Sequence, residues 1–108
     1  MKEAMQKYIE AICADYRDWH NRSNSSDEIK NRMIKEFEDS VYYKEGKKYI
    51  KVIKDGSVHS FIVAGEDKAF KIGDILKPAG YATPARNAAR GNIFEEYSVR
   101  WTGPNYLK

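Results

Sequence analysis

The hydrophobic period changes once along this chain, near residue 41, and that change decides the class of fold open to it. Up to residue 40, apolar side chains recur every three or four positions; beyond it they fall into short β-branched and aromatic runs. The first pattern lines one stripe of a helix, and the second lines the faces of strands. Helices followed by strands imply α+β architecture. The expected fold is an N-terminal antiparallel helix pair over residues 1–40, packed on a small, curved, mostly antiparallel β-sheet over 41–108, with a curvature that could make it barrel-like. A chain of 108 residues with 42% hydrophobic and 32% charged residues fits a single globular domain.

The first helix is expected from about Lys2 to His20, with Met5, Tyr8, Ile9, Ile12, Tyr16 and Trp19 on its buried stripe. A second should start at a capping box made by Ser25 and Glu28 and end near Ser40, with Ile29, Met33 and Phe37 repeating every four residues. The short polar link between them favours antiparallel helices. Strand signals follow at Val41–Tyr43, Lys47–Lys54 and Ser57–Val63. Asp55-Gly56 between the last two is a hairpin signal, because a type I′ turn needs φ > 0 at both central residues. Ala69–Ile72 and Asp74–Lys77 read as short strands around Gly73. Thr83, Pro84 and Gly91 suit the N-cap, first turn and C′ position of a mini-helix. Tyr97–Trp101 reads as a last strand, and Gly103-Pro104 as a turn.

The lone Cys13 cannot form an internal disulfide, and its apolar surroundings suit a buried, inert thiol. No apolar run is long enough to span a membrane, and the first residues do not read as a signal peptide, so a cytoplasmic location is expected. Residues 1–40 hold seven Lys/Arg and nine Asp/Glu, and the remainder twelve and seven. That asymmetry suits an anionic partner for the second half, or a lysine-rich sheet edge that resists aggregation. The eight Tyr suit either the edges of a small sheet or an interface.

The segment 77–92 contains Lys77, Arg86 and Arg90 and no acid. On a mini-helix Arg86 and Arg90 would share a face and could hold a phosphate, with Asn87 and Asn92 reading a base or ribose and Tyr81 stacking on a base. The alternative is a structural loop whose arginines pair with Asp74, Glu95 or Glu96. His59, between Val58 and Ser60 on a strand, could serve as a general base or ligand contact, or be simply solvated on an exposed face. His20 suits the C-terminal dipole of the first helix. The sequence shows no metal-ligand spacing, no cofactor motif and no nucleophile–base arrangement, so an enzyme is not favoured.

Residues 47–92 resemble a group of small uncharacterised proteins encoded by tailed bacteriophages. The resemblance is carried by Lys48-Tyr49-Ile50-Lys51-Val52, Ser57-Val58-His59-Ser60-Phe61-Ile62-Val63, Gly73-Asp74-Ile75-Leu76-Lys77-Pro78-Ala79, Pro84-Ala85-Arg86-Asn87 and Arg90-Gly91-Asn92. It implies a phage-encoded intracellular protein and no particular chemistry. The matching positions are His59, Lys77, Tyr81, Arg86, Arg90 and Asn92; Tyr81 stands near a place where the group often has Trp. The expected function is an accessory protein that binds a nucleic acid or nucleotide through 77–92. The alternatives are a binder of a host protein through a Tyr/Arg-rich surface and an enzyme built on His59.

Overall fold

The computed structural model describes residues 2–22, 26–81, 83–85, 89–95, 97 and 99–104. Helix α1 spans Lys2–Asn21 and α2 Asp27–Ser40. Six strands follow: β1 Tyr42–Glu45, β2 Tyr49–Lys54, β3 Ser57–Val63, β4 Ile75–Leu76, β5 Val99–Arg100 and β6 Gly103–Pro104. The first four form one antiparallel sheet in sequence order, and β5–β6 is a separate hairpin. The α+β architecture is as the sequence implied. The sheet, however, is open: β1 and β4 lie at opposite ends of the order, so no barrel closes.

Helix α1 buries Met5, Tyr8, Ile12, Cys13, Tyr16 and His20. Trp19, expected on that stripe, instead leaves 51% of its surface exposed, and His20 turns inward. Helix α2 is capped by Ser26, one residue after the expected cap, with the Ser26 hydroxyl accepting from the Ile29 amide at 3.4 Å. Ser25 itself lies outside the described residues. Of the α2 stripe only Phe37 is buried; Ile29 and Met33 stay exposed. The Ser40 hydroxyl donates to the Phe37 carbonyl at 2.6 Å and accepts from the Asp55 amide at 3.1 Å. The C-terminus of α2 is thereby tied to the β2–β3 turn. In that turn Asp55 (φ 46°) and Gly56 (φ 77°) both take the left-handed conformation a type I′ hairpin requires.

The sheet has two covered faces. Ile50, Val52, Ile62 and Ile75 meet Met5, Tyr8, Ile12, Tyr16 and Phe37 of the helices. Phe61, Val63 and Leu76 point the other way and are covered by Tyr49, Val58, Phe70 and Ala89. Alternation along β3 produces this division, and one irregularity interrupts it. Val52 pairs with Ser60 and Ile53 with Val58, leaving His59 as the extra residue of a β-bulge.

Three local expectations are overturned beyond β3. Gly103-Pro104 is strand β6 rather than a turn, the chain turning instead at Trp101-Thr102. Residues 69–72 are not a strand: the Asp67 carboxylate accepts from the Ala69 amide at 2.8 Å and the Asp74 carboxylate from the Lys71 amide at 2.9 Å, holding a loop. The mini-helix over 83–91 is also absent from the described residues of that span. Gly80 and Ala79 both donate to the Thr83 carbonyl, and the chain turns back along β4. The Ala85 amide reaches the Lys77 carbonyl at 2.7 Å, Arg90 reaches Ile75 at 2.7 Å, and Ile93 reaches Gly73 at 2.9 Å. Isolated bridges join Pro78 to Pro84 and Asp74 to Asn92. The edge of β4 offers carbonyls and amides that must be satisfied, and the described residues on either side of 86–88 supply those partners instead of helical ones.

Candidate functional site

The residues singled out in the sequence are distributed over three environments. Tyr81 sits at the tip of the returning loop with 59% of its surface exposed. The Lys51 ammonium lies 4.3 Å from the Tyr81 ring centroid, within the range of a cation–π contact. Lys51 belongs to the middle of β2, on the face that carries Phe61, so the sheet itself fixes the cation under the ring. Beside Tyr81, a shallow groove of about 320 Å3 runs between Pro78-Ala79-Gly80 and the Gly56-Ser57-Val58 turn. Lys77 and Arg90 are half-buried along the same antiparallel pair of segments. Arg86 and Asn87 lie outside the described residues.

Asn92 is placed differently. Its amide nitrogen donates to the Ile72 carbonyl at 3.1 Å and to Asp74 Oδ1 at 2.9 Å, and its Oδ1 accepts from the Phe94 amide at 2.9 Å. It is a buried clamp that closes the loop around Gly73. Gly73 takes φ 95°, and a Cβ there would lie 2.6 Å from the Phe94 ring and 2.7 Å from Asn92 Oδ1. The clamp therefore needs glycine.

His59 is not on an exposed face. The bulge turns it toward α1, where it is 1% exposed. Its Nε2 lies 2.7 Å from the Arg100 carbonyl oxygen and its Nδ1 2.8 Å from Ser60 Oγ. A carbonyl can only accept, so Nε2 carries the proton. Nδ1 then accepts from the Ser60 hydroxyl, whose oxygen in turn accepts from Tyr8 Oη at 2.7 Å. One direction of donation satisfies every group from α1 through β3 to β5. Burial holds the imidazole down to about 4, against the partial opposing effect of the Arg100 carbonyl, and pushes the Tyr8 phenol up. A neutral, enclosed imidazole with both nitrogens hydrogen-bonded inside the protein acts as an internal brace, neither solvated nor open to an incoming ligand in this conformation. His20 is likewise buried, with Tyr16 at 4.5 Å and Trp19 at 4.9 Å between ring centroids.

Sequence reasoning missed a second surface feature. Trp19, in the last turn of α1, meets Trp101, between β5 and β6, with ring centroids 5.4 Å apart. Together with Asp15, Asp18, Arg22, Arg100 and Thr102 they line a groove of about 240 Å3. Asp15 Oδ2 accepts from the Trp101 amide at 2.9 Å, pinning the hairpin to the helix. Beneath, Tyr16 stacks on Phe37 at 4.0 Å and 2°, and Trp101 stands edge-on to Tyr16 at 5.0 Å. The Lys54 ammonium lies 5.2 Å from the Trp101 ring centroid. The pairing joins residues far apart in sequence, and helical spacing alone assigns Trp19 to the core.

Among the described residues, no three of His, Cys, Asp and Glu are grouped so as to hold a metal ion, and no helix is long and apolar enough to cross a membrane. No curated protein and no solved structure matches the chain. A family model does match, across residues 1–105 and so through the helices, the sheet and the terminal hairpin together. The chain belongs to that family, the family of unknown function DUF7717.

Proposed function

We propose that this is a phage-encoded accessory protein, working in the cytoplasm of the host cell, that binds a nucleic acid or nucleotide along its 77–92 edge. The observation that carries the reading is the Tyr81–Lys51 pair: an exposed ring with a cation held 4.3 Å from its centre at the mouth of a groove. A base can stack on the open side of such a ring while the neighbouring ammonium and the basic residues Lys77, Arg86 and Arg90 attract phosphate. The stretch carries no acid to oppose them. Fluorescence anisotropy with a labelled single-stranded oligonucleotide tests the reading. Tyr81→Ala should weaken binding by about five- to a hundredfold, the value of one stacked base. No binding by the parent chain, at low salt and high protein concentration, would refute it.

A second reading, a binder of a host protein, is favoured by the outer edge of β1. That strand pairs with β2 alone among the described strands, and it leaves Tyr42 exposed. An open edge can accept a partner strand. Capture from host lysate with and without nuclease separates the two readings: a partner retained after nuclease supports this one.

A further inference from the structure

The groove between α1 and the β5–β6 hairpin has a composition that selects among ligand chemistries. Its platform is the half-exposed indole of Trp19, held from beneath by Trp101, Tyr16 and His20. Around it stand two carboxylates, Asp15 and Asp18, two guanidiniums, Arg22 and Arg100, and the Thr102 hydroxyl. The formal charges cancel. A phosphate would meet two carboxylates and a cation would meet two guanidiniums, so neither ion is favoured. A purely apolar ligand would strip water from five polar groups without replacing their hydrogen bonds. A neutral ring bearing several hydroxyls suffers none of these penalties. Each hydroxyl donates and accepts, matching carboxylate acceptors and guanidinium donors at once, while the ring's C–H face rests on the indole.

Size and organisation agree. At about 240 Å3 the groove is smaller than the roughly 300–1,000 Å3 of drug-sized pockets, which suits one ring. Asp18 and Arg22 already face each other at 2.9 Å on successive turns, both largely exposed. Such a pair is worth little by itself, so it can open to a ligand at small cost. Asp15 is fixed by the Trp101 amide, and the aromatic stack of Tyr16 and Phe37 keeps the platform in place. We infer that this groove is a binding subsite for one pyranose ring of a neutral glycan, separate from the Tyr81 edge in both place and ligand.

The chain has two tryptophans, and both line this groove. Indole emission and the two indole N–H resonances therefore report on it alone. The test titrates the full chain with maltotriose, cellotriose and triacetylchitotriose, with AMP and a tetra-arginine peptide alongside. The expected result is a saturable shift of both indole resonances with at least one trisaccharide, at millimolar concentration and unchanged by salt. Asp18→Asn and Arg22→Gln should each weaken that binding by about three- to tenfold, as for loss of one or two hydrogen bonds. In Trp19→Ala, Trp101 remains as reporter and its shift should disappear, with thermal unfolding confirming that the chain stays folded. A response to AMP or to the peptide alone overturns the inference. So does silence toward every saccharide, or saccharide binding that these substitutions leave intact.

Discussion

His59 shows how one buried side chain can make a fold sensitive to pH. In the folded chain its imidazole titrates near 4, because burial penalises the charged ring; unfolded, it titrates near the ordinary 6.5. Between these values the unfolded chain binds the extra proton, so stability rises with pH through that window. The contribution is complete above about pH 6.5 and is lost as pH falls toward 4. From the two values it amounts to roughly 3 kcal/mol. Urea unfolding at pH 7.5 and 4.5 should therefore show a drop in midpoint, and His59→Gln should flatten it; an equal drop in that variant would place the pH sensitivity elsewhere. The same chain of donors predicts a graded effect at Tyr8. Tyr8→Phe removes one hydroxyl and leaves Ser60 Oγ without its donor, at about 1–2 kcal/mol. Tyr8→Ala also empties a fully buried aromatic site and should cost about 3–5 kcal/mol. Equal costs for the two substitutions, measured from urea midpoints, would mean that the hydroxyl is the whole of Tyr8's role.

Among the elements, α2 is the least anchored of those the sequence announced. Phe37 is its one buried side chain, and Ser26 satisfies an otherwise open amide at its start. Local opening follows the density of buried contacts, so α2 amides should exchange with solvent before those of β2 and β3. Ser26→Ala should cost about 1 kcal/mol and hasten exchange chiefly within α2. Uniform exchange across α2 and the hairpin would show that the helix opens only with the whole fold. What could be read of these elements divides along a physical line. The two helices and the Asp55-Gly56 hairpin were legible because periodicity and turn chemistry are local properties. Three features were not. The bulge that turns His59 inward depends on how β2 and β3 register. The return of 83–85 and 89–93 along β4 depends on an edge that exists only once the sheet has formed. The Trp19–Trp101 contact depends on where the terminal hairpin lands, some eighty residues after the helix it meets. Of the residues proposed to touch a ligand, Tyr81 stands exposed at a loop tip, as such positions do by default. Asn92 and His59 are instead buried, hydrogen-bonded to backbone groups and to the Asp74 and Ser60 side chains, and that enclosure depends on tertiary contacts absent from the local sequence.

Across the whole molecule, the net charge of +3 conceals an uneven distribution, because the excess of basic residues lies beyond residue 40. If the 77–92 edge holds single-stranded nucleic acid, the cations able to meet phosphate are Lys51, Lys77, Arg86 and Arg90. Each phosphate contact releases condensed counterion, and four contacts give a slope of about −3 in log K against log salt. Arg86→Ala combined with Arg90→Ala should bring that slope to about −1.4, while Tyr81→Ala should weaken binding at every salt concentration and leave the slope in place. The contrast separates charge from stacking, and either result alone would be ambiguous. It also separates this edge from the tryptophan groove, whose balanced charges predict no salt dependence for a neutral ligand. Anisotropy titrations over a salt series with the parent chain, the double variant and Tyr81→Ala decide the matter. A slope the arginine substitutions do not change would move the anionic contact off the 77–92 edge and return its loop to a purely structural role.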